Sequence, residues 1–274
     1  MPRDDALETR LAQLTLQPGT AACVWLGQGG YLVKSAAGLT VAVDPYCSDW
    51  AETGWGVKRL RPTVIDPERF APDLVLATHG HEDHLDRPTL VGWAKKPGIR
   101  FGGPSSCVGR VRAWGWPRER TITINRGETV QVEDVVVTAT FARHEVPGAL
   151  TEDAVGFLLD FPGVRLWVVG DSEYDTRLRP TGEARIDVMF VPINGVGGNM
   201  NAHEAALLAW RVRPRSAVPM HYGMWADEGY GPGATLDPEL FRETLGRLGG
   251  GIEAPEWKPG AIAIIDAAAS GPAP

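Results

Sequence analysis

The histidines of this chain are concentrated in one short stretch. Six histidines occur in 274 residues, and three of them, His79, His81 and His84, fall within six consecutive positions together with Asp83. Imidazole nitrogens and carboxylate oxygens are ligands for divalent metals. Because a turn can direct alternate side chains toward one point, the H-x-H-x-D-H spacing predicts a metal site rather than a set of independent surface histidines.

The residues on either side place this stretch between a strand and a helix. The apolar run that ends at Thr78 predicts a buried strand. Asp86 as the N-cap and Pro88 in the first turn predict a helix that begins at residue 87. Ligand sites of α/β folds tend to lie at the carboxyl ends of strands. The pattern therefore favours a functional turn.

Three further candidate ligands each stand just beyond a predicted buried strand. They are His144, Asp171 and His221. Five histidines and two aspartates thus share one kind of place, which is enough for two metals about 3.5–4 Å apart, an arrangement that serves hydrolysis at carbonyl or phosphoryl centres. His203 is the exception, since it is the second residue of a predicted helix and is expected to be an exposed polar residue.

Composition narrows the class of protein. The hydrophobic fraction of 43% and the charged fraction of 22% are typical of a soluble globular protein with a sizeable core. The net charge of −7, without a block of Lys or Arg, argues against nucleic acid or an anionic membrane as the main partner. No apolar stretch approaches the roughly 18 residues of a membrane span.

The cysteines and the termini point to a cytoplasmic protein. Cys23, Cys47 and Cys107 are odd in number and far apart, so they are predicted to be reduced, mostly buried thiols. The first residues lack the apolar segment of a secretory signal. No linker of low complexity interrupts the chain, which predicts a single domain over residues 1–274 with a disordered tail at 267–274. A homo-oligomer is left open.

Hydrophobic periodicity predicts strands and helices in a mixed order. Strands are predicted at residues 22–26, 31–34, 39–44, 73–78, 100–101, 121–125, 129–132, 135–140, 155–160, 164–169, 187–192, 216–220 and 261–266. Helices are predicted at residues 4–14, 87–96, 104–114, 201–212 and 236–248. The first three strands are expected to form an antiparallel meander, and residues 45–72 a long loop over the sheet edge.

Two local motifs predict specific backbone structures. Asn201 with Glu204 fits a capping box that opens the helix at 201–212. The run Gly27-Gln28-Gly29-Gly30 lacks both the Walker lysine and the G-x-G-x-x-G spacing, so it is predicted to be a hairpin turn rather than a phosphate-binding loop.

The seven candidate ligands together resemble the five-motif signature of the metallo-β-lactamase fold. This resemblance implies an α/β (α+β) fold, the αββα sandwich, with the site at its upper rim. It implies that Asp171 bridges two divalent metals. The ligands it implies for the first metal are His79, His81 and His144. Those it implies for the second are Asp83, His84 and His221.

Short stretches outside the ligands are similar to the L-ascorbate-6-phosphate lactonase group of that superfamily. They lie within residues 20–225 and include Val24-Trp-Leu-Gly27, Leu32-Val-Lys-Ser35, Leu76-Ala-Thr-His79, Gly103-Pro104, Cys107-Val108, Trp114-Gly115 and Gly170-Asp-Ser172. This resemblance implies a metal-dependent hydrolase that opens a sugar lactone, such as L-ascorbate 6-phosphate. It implies Mn²⁺, the metal of that group, or Zn²⁺, the common metal of the wider fold.

The expected chemistry is attack of an activated water on the lactone carbonyl. Asp83 and Asp171 are the candidate catalytic carboxylates, with Asp83 orienting the water as well as binding metal. The substrate is expected to be a small, anionic molecule, and Arg143, Asn194 and Tyr222 are candidates for the substrate pocket.

Two other functions are weighed against the lactonase. One is a phosphodiesterase with the same two-metal centre, because that centre also serves phosphoryl transfer. The other is a metal-binding protein without catalysis, which the complete ligand set argues against. A diiron oxygen reductase of the same fold would carry a carboxylate at the position of His81, and this chain does not.

Overall fold

The structure, a computed structural model, describes residues 6–144, 153–180 and 185–266. The strands are β1 (Thr20–Gly27), β2 (Gly30–Ser35), β3 (Thr40–Val43), β4 (Leu74–Leu76), β5 (Arg100–Gly103), β6 (Thr121–Thr123), β7 (Thr129–Val132), β8 (Val135–Phe141), β9 (Val155–Phe161), β10 (Val164–Val168), β11 (Val188–Pro192), β12 (Ser216–Met220) and β13 (Ile262–Asp266). The α-helices are α1 (Leu7–Gln13), α2 (Trp50–Trp55), α3 (Arg87–Ala94), α4 (Ser105–Ala113), α5 (Ala202–Val212) and α6 (Pro238–Leu248). Two 3-10 turns lie at Arg118–Arg120 and Asp227–Gly229.

The strands form two sheets. The first has the order β13-β1-β2-β3-β4-β5-β6, and the second the order β12-β11-β10-β9-β8-β7. In the first sheet, β1, β2 and β3 pair antiparallel, which confirms the predicted meander. From β3 to β6 the pairing is parallel. In the second sheet, β10, β11 and β12 are parallel, so their carboxyl ends lie at one edge.

Alternation of side chains along the strands builds three apolar layers. In β1, Cys23 belongs to the layer between the two sheets, whereas its neighbour Val24 belongs to the layer beneath α3 and α4. In β10, Leu166 lies between the sheets and Trp167 packs on the α5 and α6 side. Because successive strand residues point to opposite faces, each sheet is buried on both faces. The predicted four-layer αββα sandwich is confirmed.

This topology explains why the candidate ligands come from distant parts of the sequence. His79 follows β4, His144 follows β8, Asp171 follows β10 and His221 follows β12. Each of these strands is short and hydrophobic and ends where polar residues begin, so the chain leaves the sandwich at a polar rim. The two sheets thereby contribute ligands to the same rim from both sides.

The prediction of an unbroken loop over residues 45–72 is wrong in part. The short helix α2 occupies Trp50–Trp55 and ends at Gly56, whose φ of +73° is the left-handed conformation that glycine adopts easily. Trp55 packs edge-on against Trp225, with ring centroids 5.9 Å apart. A contact distant in sequence therefore supports a helix that local composition did not indicate.

Asp86 occupies the predicted N-cap position of α3 but does not cap it. Its side chain forms no hydrogen bond to the first turn of backbone. It accepts hydrogen bonds instead from the Cys47 amide at 2.9 Å, from the Ser48 hydroxyl at 2.5 Å and from the Thr89 hydroxyl at 2.7 Å. The carboxylate thus ties the start of α3 to the segment that follows β3.

Several other expectations can be compared with the structure directly. The capping box is present, with Asn201 and Glu204 bonded reciprocally. His203 is exposed and its ring bonds to the Thr244 hydroxyl at 2.8 Å. All three cysteines are free and buried. No helix in the described residues is long and apolar enough to cross a membrane. The tail at 267–274 lies outside the described residues, and the single domain stays a prediction.

We expect Gly156→Ala to destabilise the protein. A Cβ at Gly156 in β9 would lie 2.5 Å from the Val169 carbonyl oxygen and 2.7 Å from the Thr140 hydroxyl oxygen. Overpacking of this kind costs about 1–3 kcal/mol in the free energy of unfolding. Gly246→Ala in α6 is the matched control, because no atom lies within 4 Å of its added Cβ, and it should stabilise by about 0.5–1 kcal/mol. Urea unfolding midpoints that do not separate the two variants would contradict the packing described here.

Candidate metal centre

The turn between β4 and α3 carries four candidate ligands, and hydrogen bonds to its backbone fix its shape. The amides of His84 and Leu85 both donate to the carbonyl of His81, at 3.1 and 2.7 Å. On the other side, the guanidinium of Arg110 donates to the carbonyl of Gly80. The turn is therefore fixed at both ends before any ligand is bound.

The first cluster consists of His79, His81 and His144. His81 Nδ1 lies 3.0 Å from His79 Nε2 and 3.1 Å from His144 Nε2. The opposite nitrogen of His144 lies 3.0 Å from the Gly198 carbonyl, which can only accept, so Nδ1 carries the proton and Nε2 presents a lone pair inward. Three ring nitrogens therefore converge on one point.

The tautomer of His79 is fixed in the same way. The Thr78 hydroxyl donates to Asp44 Oδ2 at 2.6 Å, so it accepts from His79 Nδ1 at 3.0 Å. His79 Nε2 is then also an inward lone pair. Burial, together with the neighbouring His84, holds the pKa of His79 well below its ordinary value. His79 is therefore neutral near pH 7, and its inward lone pair is available to a divalent cation.

The second cluster consists of Asp83, His84 and His221. His84 Nε2 lies 3.3 Å from His221 Nε2, and Asp83 Oδ2 lies 3.4 Å from that same nitrogen of His221. His84 Nδ1 bonds to Asp44 Oδ2 at 2.7 Å, which directs its other nitrogen into the cluster. A carboxylate behind a histidine in this way orients a metal ligand and raises its basicity.

Asp171 lies between the two clusters. Its Oδ2 is 3.1 Å from His221 Nε2, 3.4 Å from His84 Nε2 and 3.9 Å from His144 Nε2. The Asn199 amide donates to the same oxygen at 2.9 Å. Asp171 Oδ1 is buried and has no hydrogen-bond partner among the described residues. A buried, unpartnered carboxylate oxygen beside converging nitrogens fits a cation.

The charges in the centre depend on one another. Burial lowers the pKa of His221, but the carboxylates of Asp171 and Asp83 outweigh burial and raise it to about 9. Burial raises the pKa of Asp83, but His84 and His221 outweigh burial and lower it to about 2. Without metal, the second cluster is thus a buried set of ion pairs in which a proton on the histidines takes the position of a cation.

The backbone is strained where it meets the centre. Among the described residues other than glycine, five have positive φ: Gln28, Asp44, Glu133, Arg213 and His221. Three of these five, at φ values of 52°, 47° and 66°, belong to the centre or touch it. Such conformations persist only where the surroundings hold them, and they are common at functional sites.

Sequence reasoning missed three polar residues of the centre. Asp44 ends the strand next to β4, so the rule that found His79 at a strand end could also have found Asp44. Asn199 and Gln28 carried no comparable signal, because each lies in a glycine-rich turn that only the fold brings to the ligands. All three are buried.

The structure separates the three predicted substrate residues. A cavity of about 950 Å³ opens onto both clusters, and Asn194 lines it. Tyr222 lines a different cavity of about 420 Å³ and packs against Trp25, so the prediction that it meets the same substrate is not supported. Arg143 is not among the residues lining the first cavity, and its guanidinium lies 3.3 Å from the carboxylate of Glu173.

Comparison with known proteins identifies the family. The family model described as the β-lactamase superfamily domain matches residues 23–221. This chain belongs to the β-lactamase superfamily. Family membership, together with the buried histidine and aspartate clusters, identifies a metal-dependent hydrolase and confirms the resemblance drawn from the ligand motif.

Individual relatives agree with this assignment. Probable L-ascorbate-6-phosphate lactonases UlaG of Escherichia fergusonii and Salmonella heidelberg are 28% and 29% identical to the chain, each match covering 81% of this chain and 75% of the relative. The metallo hydrolase Igni18 of Ignicoccus hospitalis superposes with a TM-score of 0.64 at 20% identity, covering 90% of this chain and 99% of that one. The metallo-β-lactamase fold protein YhfI of Bacillus subtilis gives 0.66 at 16%, covering 90% and 100%. The superpositions confirm the fold.

We expect the metal-free protein to be most stable near pH 6.5. The pKa of His221 is raised from 6.5 to about 9, so its stabilisation is complete below 6.5 and is lost as the pH rises toward 9. The pKa of His81 is lowered to about 4, chiefly by burial, so stability is also lost as the pH falls below 6.5. Urea midpoints of EDTA-treated protein at about pH 5, 6.5 and 9 measure this.

Saturating metal provides the control for this titration. Metal binds only deprotonated histidines, so the loaded protein should gain stability as the pH rises above 6.5. If the metal-free protein instead becomes more stable as the pH rises above 6.5, the ion pairs of the second cluster do not form.

Proposed function

We propose that this metal-dependent hydrolase holds two divalent ions, Mn²⁺ or Zn²⁺, and opens the lactone ring of a small anionic sugar derivative such as L-ascorbate 6-phosphate. The observation that carries the proposal is the placement of Asp171 Oδ2 within 3.1–3.9 Å of histidine nitrogens from both clusters. A single oxygen in that position suits a bridge between two ions. Similarity to proteins named as probable L-ascorbate-6-phosphate lactonases supports the choice of substrate.

Each candidate ligand has a proposed role. Bound ions would supply an activated water and polarise the carbonyl. His79, His81 and His144 would hold the first ion, and Asp83, His84 and His221 the second, with Asp171 shared. The pKa values of Asp83 and Asp171 both lie below their ordinary value, because nearby histidines outweigh burial. Both carboxylates are therefore ionised at neutral pH, and Asp83, which lines the cavity, can also orient the attacking water.

The cavity wall offers a cation to an anionic substrate. Arg110 lines the cavity, and its guanidinium forms no ion pair with a carboxylate among the described residues. It lies over the ring of Trp114, 5.5 Å from the centroid, and bonds to the Gly80 carbonyl. An arginine held in this way retains donors for a phosphate group, and the fork geometry of guanidinium suits phosphate oxygens.

The remaining wall suits the uncharged part of a sugar lactone. Trp55 and Trp225 meet edge-on at 5.9 Å between centroids and both line the cavity, providing apolar surface beside the ligands. Asn194 also lines the cavity, and its side-chain amide donates to the Val196 carbonyl at 3.1 Å. A pocket with a few convergent polar groups and an otherwise apolar wall is typical of small-molecule sites.

Phosphodiester hydrolysis is the second candidate. The same two-ion arrangement serves phosphoryl transfer, and Arg110 would also bind a phosphodiester. Bis(p-nitrophenyl) phosphate, tested beside the lactone with the same loaded protein, separates the two activities. A metal-binding role without catalysis is disfavoured because the clusters open onto a cavity of about 950 Å³.

The proposed setting of the reaction is the cytoplasm, with a small molecule as the partner. Reduced cysteines support the cytoplasm as the compartment. The negative net charge disfavours nucleic acid or a membrane surface as the partner.

We expect His81→Ala and Asp171→Ala to abolish metal-dependent hydrolysis of L-ascorbate 6-phosphate, because each removes a ligand that the proposed centre requires. The assay follows loss of the ultraviolet absorbance of the lactone with Mn²⁺-loaded protein and an EDTA-treated control. His203→Ala, which removes an exposed histidine outside the centre, is the matched control and should retain activity. Full activity in either ligand variant would contradict the two-ion assignment.

We expect Arg110→Met to raise KM for L-ascorbate 6-phosphate by about 10–100-fold, since a charge-assisted hydrogen bond contributes roughly 1.5–3 kcal/mol. L-ascorbate, which lacks the phosphate, should be turned over by wild type and variant with similar KM. Arg110→Lys should recover part of the affinity, because it keeps the charge without the fork. Equal losses on both compounds would mean that Arg110 acts through the Gly80 carbonyl and not on the phosphate.

A further inference from the structure

The hairpin turn between β1 and β2 reaches into the metal centre. A Cβ added to Gly29 would lie 2.7 Å from His84 Cε1, so only glycine allows this close approach. Gln28, the preceding residue, is fully buried. The turn therefore does more than join two strands, because its backbone and one polar side chain pack directly on the candidate ligands.

Both ends of the Gln28 side chain are engaged. Its Nε2 donates to Asp83 Oδ2 at 2.9 Å and lies 3.2 Å from each ring nitrogen of His221. Its Oε1 accepts from the Tyr230 hydroxyl at 3.1 Å. That hydroxyl accepts in turn from the Met224 amide, also at 3.1 Å, so its proton is directed to Gln28. Because an ionised carboxylate only accepts, the contact with Asp83 fixes the amide with Nε2 toward Asp83 and Oε1 toward Tyr230.

The backbone of Gln28 is held as firmly as its side chain. Its φ is +52°, a conformation that residues other than glycine seldom adopt. The Gln28 carbonyl accepts from the Trp25 indole at 3.0 Å and from the His221 amide at 3.1 Å. These two bonds compensate for the strained conformation and place the amide of the side chain at the second cluster.

The atom that Gln28 contacts is the one that faces the proposed second ion. Asp83 Oδ2 points toward His221 Nε2 at 3.4 Å and His84 Nε2 at 3.6 Å. A carboxylate oxygen has more than one acceptor site, so an N–H on one side leaves another for a metal. Without that N–H, the carboxylate of Asp83 could rotate away from the two histidines.

We propose that Gln28 is a positioning residue for the second metal subsite: its amide holds Asp83 Oδ2 against His221, and Tyr230 holds the amide. This inference rests on the proposed two-ion function. Since Tyr230 also lines the substrate cavity, the chain Tyr230–Gln28–Asp83 connects the cavity wall to the second subsite.

Gln28→Met tests the proposal, because methionine keeps the length of the side chain and removes both polar atoms. Metal-free protein is titrated with Co²⁺, with ligand-field absorbance as one readout and bound ions per chain by elemental analysis as another. We expect the Kd of the second ion to rise about 10–100-fold, as for other groups that orient metal ligands, while the Kd of the first ion stays unchanged. The absorbance of the second bound Co²⁺ should also shift.

Gln131→Met, at an exposed position in β7, is the matched control and should bind both ions as wild type does. Tyr230→Phe provides a second variant should Gln28→Met not fold, as judged by circular dichroism. It removes the one hydroxyl that holds the amide, and the loss of a neutral hydrogen bond should weaken the second ion by about 2–10-fold.

The outcomes separate this inference from the function on which it rests. Wild-type protein that binds only one ion would overturn the two-ion function and the role of Gln28 together. Wild-type protein that binds two ions, with Gln28→Met and Tyr230→Phe matching it in both Kd values and in the Co²⁺ spectrum, would overturn only the role of Gln28.

Discussion

The convergence of buried histidine nitrogens on one point is the constraint on which the rest of this structure depends. His79, His81 and His144 direct ring nitrogens to within about 3 Å of one another in a buried space. The outer nitrogens of His79 and His144 bond to the Thr78 hydroxyl and to the Gly198 carbonyl, so these two rings are held in place. A divalent cation bound at that point could be held by all three nitrogens, and the fold keeps the rings in place for it.

The sandwich supplies the rigidity that this arrangement needs. Both sheets are buried on both faces, so the strand ends at the rim cannot shift without disturbing an apolar layer. Backbone strain occurs at the rim, where Asp44 and His221 adopt positive φ. Asp44 illustrates the design well, because one carboxylate accepts from the Thr78 amide and hydroxyl and from His84, joining β3, β4 and the ligand turn.

The cavity wall and the candidate ligands come largely from different elements of the fold. The candidate ligands come from strand ends, whereas the cavity wall comes from α2, α4 and the segment after β12, which contribute Trp55, Arg110 and Trp225. Elements outside the strands also position the ligands, since Arg110 of α4 bonds to the ligand turn and the Gly198 carbonyl bonds to His144.

The sequence by itself indicated the positions of the strands and the seven candidate ligands, because strand alternation and ligand clustering are local signals. It could not reveal Gln28 or Asn199, whose glycine-rich turns resemble any other turn until the fold brings them to the ligands. The sequence analysis also placed Tyr222 among the substrate residues. In the structure its neighbour His221 faces the centre, whereas Tyr222 lines a different cavity. Only the tertiary structure decided that adjacent side chains point to different cavities, because that choice depends on which face of the chain packs against Trp25.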